Sequence, residues 1–106
     1  MVDHELDELR REFLIEAGDK VREMSSTLGS DSAESYERLA YLAHQLKGSG
    51  GSYGYQSIST DAAEIEKAVE RFAKGDSSGV ADKIRQHVEN LRAEIIRSTE
   101  ELSARA

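Results

Sequence analysis

A chain of 106 residues, 38% apolar and 33% charged, holds enough material for one hydrophobic core and too little for two, so one domain over residues 1–106 is expected. Proline and cysteine are both absent. That excludes disulfides, a thiolate nucleophile and cysteine-based zinc, and it suits a chain given over to helices, whose interiors reject proline. A formal net charge of −7 repels nucleic-acid phosphates and anionic lipid, so neither nucleic acid nor a membrane surface is an expected partner.

No apolar run approaches the length of a membrane span, and the stretch from Met1 to Leu6 lacks the apolar core of a signal peptide. A cytoplasmic location is the default expectation. β-branched residues occur singly along helical patterns and not in alternating runs, which argues against an all-β fold.

In the first segment Leu6, Leu9, Phe13, Ala17, Val21, Met24 and Leu28 recur in steps of three and four, the spacing of an amphipathic helix with Asp3 as its cap. Gly29-Ser30 breaks it. Asp31, three residues before Glu34, resembles a capping box and predicts the start of a second helix. That helix carries Tyr36, Leu39, Leu42, Ala43 and Leu46 and runs into a glycine-rich stretch from Gly48 to Gly54. The stretch can be a terminator with a flexible turn, or a helix continuing thinly to about Tyr53. A third pattern joins Ile58, Ala62, Ile65, Val69 and Phe72 and ends at Lys74-Gly75, a cation followed by a helix-stopping glycine. Asp76 or Ser77 can cap a fourth, whose Val80, Ile84, Val88, Leu91 and Ile95 share one face that continues to Leu102. Met24 and Phe72 are core positions by periodicity. The acidic runs from Asp3 to Glu12 and from Glu89 to Glu101 are expected to be solvated helix faces. Short connections make successive helices antiparallel neighbours, so the expected fold is all-α, an up-down antiparallel four-helix bundle.

Core burial explains three of these helices and leaves part of the second unexplained. On a helical wheel Leu39, Leu42, Ala43 and Leu46 converge, and His44 points about 140° away from Leu39. Ala40 lies one turn before His44, Gly48 one turn after, Lys47 beside it and Gly51 further along the same strip. A glycine inside a helix forfeits about 1 kcal/mol relative to alanine, so three within four positions need an offsetting reason. Small neighbours leave the imidazole projecting from a shallow patch that another protein can approach, which makes Ala40, Gly48 and Gly51 a candidate docking patch. Imidazole titrates near neutral pH and is nucleophilic there without a separate base. Attack on a phosphoryl donor gives a phosphoramidate, and Lys47 supplies a cation close to where that phosphate would lie. Such transfer depends mainly on positioning and charge stabilisation. No cofactor is therefore expected on this chain, and Mg²⁺ is expected in the acidic pocket of a partner.

A nucleotide-binding reading of the glycines fails, because Tyr53 stands where the third glycine of a dinucleotide fingerprint would fall and no Gly-Lys-Ser/Thr ending is present. No metal site is expected, since His4, His44 and His87 are far apart and form no i,i+4 pair. His87 falls at the margin of the fourth apolar face, where partial burial is the ordinary outcome.

The stretch Ala43-His44-Gln45-Leu46-Lys47-Gly48-Ser49-Gly50-Gly51-Ser52-Tyr53-Gly54 resembles the signature of histidine-containing phosphotransfer (HPt) domains, an Ala-His-x-Leu-Lys-Gly core with a further glycine six residues on. Ile58, Ala62, Ile65 and Glu66 match the family's spacing on the next helix, while the first and last helices match only in pattern. The resemblance implies a monomeric bundle with His44 as phosphoacceptor, Lys47 close to the phosphoryl group, Gly48 keeping the approach open and Gly54 allowing the turn into the third helix. It implies response-regulator receiver domains and a hybrid sensor histidine kinase as partners. Tyr55 departs from the smaller residue of many relatives and is expected to reflect local packing. The chain contains no kinase domain, which favours a free-standing or terminal module over the phosphoacceptor module of a chemotaxis-type kinase. A pseudo-domain that binds receivers without carrying phosphate, or an unrelated helical regulatory subunit, are the competing readings. Retention of His44 beside Lys47 speaks against the former, and an indifferent His44→Gln variant would mark the latter.

Overall fold

Four helices account for nearly all of the described residues: α1 at His4–Thr27, α2 at Ala33–Ser52, α3 at Gln56–Ala73 and α4 at Val80–Ala104. They are seen in a computed structural model that describes residues 4–30 and 32–105. Among the described residues there is no strand, and the fold is an all-α four-helix bundle. Helices touch only their neighbours around the ring, α1 with α2, α2 with α3, α3 with α4 and α4 with α1. The α2–α3 seam is the most extensive of the four.

The periodic residues become the core. Met24, Ala43, Ala62, Ile65, Ile84, Val88 and Leu91 are fully buried, and Leu39, Leu42, Leu46 and Ile58 nearly so. Leu9 is a correction: it is exposed, and Leu14 is buried in its stead. Leu9 and Leu14 lie on opposite margins of the Phe13–Ala17–Val21–Met24 stripe, about 75° to one side of its centre and about 65° to the other, and of the two margins the Leu14 side is the one that is covered. Phe72 is also not core. It is only partly buried in the last turn of α3, where its ring stacks on Tyr36 at 4.1 Å between centroids and closes the end of the bundle.

The helix ends follow local chemistry. The proposed caps Asp3 and Asp31 lie outside the described residues. The residue that caps α2 is Ser32, whose Oγ accepts the Ser35 N–H at 3.1 Å. Neither Asp76 nor Ser77 caps α4, because the Asp76 carboxylate is taken up by the Ser78 N–H and by Arg71. The helix begins after Gly79, which has a left-handed φ of 68°. At the end of α2, Gly54 at φ 85° lets the Tyr55 N–H reach Gly50 O at 2.7 Å and the Gly54 N–H reach Gly51 O at 3.2 Å, a Schellman closure that needs a residue free to adopt positive φ. Tyr53 and Tyr55 on either side stack on Phe13, at 5.2 and 5.7 Å. The unusual Tyr55 thus packs the loop onto α1.

The glycine stretch is helical through Ser52. Burying a leucine-sized side chain contributes roughly 1.5–3 kcal/mol, so Leu39, Leu42 and Leu46 together outweigh about 1 kcal/mol lost at each helical glycine. Gly50 has a further reason. A Cβ there would meet Ile58 Cγ2 at 3.2 Å, Ser59 N at 3.2 Å and Tyr55 O at 3.3 Å, so the start of α3 rests directly on the α2 backbone.

Two of the acidic positions are not solvated. Asp7 is half-buried and receives Arg105 Nη2 at 2.7 Å, pinning the start of α1 to the end of α4. Glu94 faces Asp61 across the α3–α4 seam. Asp61 is buried and takes His87 Nδ1 at 2.7 Å and Asn90 Nδ2 at 3.2 Å, which gives His87 its partial burial a purpose. Desolvation and the adjacent Asp61 push the Glu94 carboxyl up from 4.5 to about 7. Burial works to raise Asp61 as well, but hydrogen bonds from Glu94, His87 and Asn90 outweigh it and hold Asp61 below its usual range. Glu94 thus holds its proton to higher pH than an ordinary carboxyl, beside an Asp61 that ionises readily.

Two outcomes follow from this packing. Gly50→Ala should destabilise the chain by about 1–2 kcal/mol through overpacking against backbone, whereas Gly48→Ala, with open space around its Cβ, should stabilise it by up to about 1 kcal/mol; urea unfolding of both variants checks the opposite signs. Because Glu94 binds its proton more tightly folded than unfolded, its contribution is full at pH values below its unfolded 4.5 and is lost as pH rises through about 7. Glu94→Gln, which cannot ionise, should therefore gain on the wild type between about pH 5 and about pH 8 in urea midpoint. A constant gap across that range would contradict the tightly held proton.

Candidate functional site

The outward strip of α2 is built by the same residues that build its core. With Leu39, Leu42, Ala43 and Leu46 turned inward, His44 has no choice but to project, and its side chain is 71% exposed. Ala40 is partly buried one turn before it. Gly48 is exposed one turn after, and a Cβ placed there would meet nothing within 4 Å. Gly51 is exposed further along, where its missing side chain would come 3.7 Å from Ser59 Oγ. Gly54 forms the turn already described. The six positions singled out from the sequence therefore fall along one edge of α2 and its exit.

α3 completes the site from across the seam. Ser59 Oγ donates to Lys47 O at 2.9 Å, tying the thin glycine segment to α3. Two turns beyond Ser59, Glu66 reaches back: Oε2 lies 3.2 Å from His44 Nδ1 and Oε1 lies 3.0 Å from Lys47 Nζ. The Lys47 contact is an ion pair without the alignment of a hydrogen bond, and Oε1 is otherwise sealed from solvent. Glu66 itself is only 26% exposed, against 43% for Lys47. One carboxylate thus holds both side chains. Being an acceptor only, it fixes the proton of a neutral imidazole on Nδ1 and leaves the lone pair on Nε2. This ring is oriented, solvent-accessible and nucleophilic at its free nitrogen.

Glu66 is the member that sequence reasoning left without a role. Its spacing beside Ile65 is the one signal the chain offers, since nothing along the sequence indicates that α3 runs level with His44. The lysine is likewise less free than the sequence suggests, because Glu66 already neutralises it.

A family model described as "Hpt domain" matches residues 8–94, a span that covers all of α2 and α3 and most of α1 and α4. The chain belongs to the Hpt domain family. No curated protein and no solved structure gives a match. Hpt domains are phosphocarrier modules of two-component phosphorelays that interact with receiver domains and kinases. Among the described residues no helix is long and apolar enough to cross a membrane.

The Glu66 contact has a spectroscopic consequence. For the neutral ring, nitrogen shifts of His44 should report the Nδ1–H tautomer as dominant, and Glu66→Ala should move the population towards Nε2–H. An unchanged tautomer ratio would mean that the carboxylate does not set the ring.

Proposed function

We propose that this chain is a phosphocarrier in which His44 accepts a phosphoryl group through Nε2 and passes it to the aspartate of a response-regulator receiver domain. What carries the reading is the imidazole itself, exposed on a rigid helix, with Nδ1 engaged by Glu66 and no side chain at Gly48 to obstruct the approach. In uptake from a receiver, the Nε2 lone pair forms the N–P bond while the P–O bond to the donor aspartate breaks and its electrons leave on the carboxylate. The ring keeps its Nδ1 proton and becomes cationic, with the Glu66 carboxylate against that charge. Onward transfer reverses the step, the cationic ring departing from phosphorus as neutral imidazole. Lys47, one turn from the ring, can exchange its ion pair with Glu66 for one with the phosphoryl oxygens. Ala40, Gly48 and Gly51 form the surface on which the receiver settles, and Gly54 sets the turn that brings α3 and Glu66 into place.

Positioning and charge stabilisation dominate phosphoryl transfer, so the Mg²⁺ and the acidic pocket are assigned to the receiver and the ATP chemistry to a hybrid sensor histidine kinase upstream. The chain acts as a monomer, alongside receivers in the cytoplasm.

Incubation with a phosphorylated receiver should place an alkali-stable, acid-labile label on the wild type and none on His44→Gln. Label on that variant at the wild-type rate would remove His44 from the role. Gly48→Leu should keep its helical circular dichroism and yet slow transfer by roughly tenfold or more, as misplacing a reacting centre does.

A further inference from the structure

On the far side of the bundle from His44, the seam between α1 and α4 carries a pattern that phosphoryl transfer does not use. α1 sets Arg11, Ile15, Gly18, Arg22 and Ser25 along one line in alternating steps of four and three. α4 runs antiparallel beside it with Arg92, Ile96, Thr99 and Ser103. Two apolar hollows open between these lines, one of about 340 Å³ floored by Val21 and Ile95 and one of about 170 Å³ floored by Leu14 and Leu102. Ile15 and Ile96 stand at their rims, 66% and 52% exposed.

The spacing and the charge of this face identify what fits it. The two floors are seven residues apart on each helix, Leu14 to Val21 and Ile95 to Leu102, or about 10 Å at 1.5 Å per residue. That is the distance between side chains i and i+7 of a third helix laid along the groove, the usual geometry of helix-in-groove recognition. Three arginines, Arg11, Arg22 and Arg92, line the hollows and no carboxylate does, in a chain with 21 acidic and 14 basic side chains. Among the described residues Arg11 and Arg92 have no ion pair or side-chain hydrogen bond, and Arg22 pairs only with exposed Asp19.

We propose that the α1–α4 seam is a second docking face, which receives an amphipathic helix of a partner protein bearing two aliphatic side chains seven residues apart and carboxylates on its flanks. A second copy of this chain is a poor occupant. The groove is positive at both ends, with Arg11 at one and Arg22 and Arg92 at the other. A two-fold axis along the helices sets Arg11 on Arg11, and one across them sets Arg11 on the other two, so both self-pairings oppose like charges. An acidic helix meets cations at each end and apolar hollows between. Because α1 does not contact α3 and α4 does not contact α2, such a helix would leave the surface around His44 open. Both faces can be occupied at once.

The test uses the full chain and two synthetic helical peptides with leucines at i and i+7, one flanked by glutamates and the other by lysines, followed by amide shifts in solution. The acidic peptide should move the amides of Ile15, Gly18, Ile96 and Thr99, leave those of His44 and Glu66 in place, and bind about tenfold or more tightly than the basic one. Ile96→Asp, at an exposed position that leaves the core intact, should abolish binding with unchanged circular dichroism. Arg11→Glu combined with Arg92→Glu should invert the preference between the peptides. Failure of the acidic peptide to bind, equal binding of both, or shifts confined to the α2–α3 side would each overturn the proposal. So would a concentration-dependent dimer, seen by sedimentation, that is broken by Ile96→Asp, since it would give the face to a second copy.

Discussion

The close approach of α3 to the backbone of α2 at Gly50 sets everything around His44. With no Cβ in the way, Tyr55 O and Ser59 N come within contact distance of α2, and Ser59 Oγ fastens on Lys47 O. From that anchor α3 runs back along α2, and the two turns from Ser59 to Glu66 bring the carboxylate level with His44 and Lys47. A slip of one residue along α3 would rotate Glu66 by about 100° and shift it by about 1.5 Å, enough to break contacts of 3.2 and 3.0 Å. The orientation of an exposed side chain on one helix therefore rests on a buried glycine six residues away. This gives the glycine-rich stretch two distinct uses. Gly48 faces out and leaves room, and Gly50 faces in and permits contact.

These two uses were unequally legible along the chain. Gly48 could be found because helical periodicity alone assigns it to the side of His44, and the structure leaves open space there. Gly50 could not, since its reason is a backbone on another helix. The same divide runs through the rest of the molecule. Fold class, the four helices and most of the core followed from apolar spacing, because burial of those stripes is the dominant free-energy term. Helix starts were harder. Ser32 and Asp76 are both plausible caps by residue type, and which one acts depends on local competition for its oxygen, which in Asp76 goes to Ser78 and Arg71. Hardest of all were the carboxylates. Glu66, Glu94 and Asp7 look like members of a solvated acidic surface, and only tertiary neighbours distinguish them from those that are.

Those three acids show how a chain of net charge −7 disposes of charge at its seams. Asp7 is met by arginine, Glu66 by lysine and imidazole, and Glu94 by keeping its proton. Exposed pairs such as Arg38 with Glu23 or Lys74 with Glu70 hold little stability, because water and salt screen them, so the bundle does not depend on them. The seam carboxylates differ because partial burial weakens screening, and each links two helices. Glu94 and Asp61 tie α3 to α4, Asp7 ties α1 to α4, and Glu66 ties α3 to α2. Only the last also presents a reactive group to solvent.

Placing the ionic link of the α2–α3 seam at the surface has a consequence for chemistry. A ring held only by packing would have to be buried, and a buried ring could not be reached by another protein. A fully solvated ring would be reachable and would sample several rotamers and both tautomers. Glu66 resolves that conflict by gripping Nδ1 from below while Nε2 stays open, at the cost of desolvating a carboxylate that Lys47 then neutralises. On the proposed reading this is sufficient, since a carrier needs an aligned nucleophile and a clear approach, with the metal and the acidic pocket assigned to the protein that docks. On that reading the bundle has little to do beyond holding one nitrogen still, which leaves its opposite seam free for other contacts.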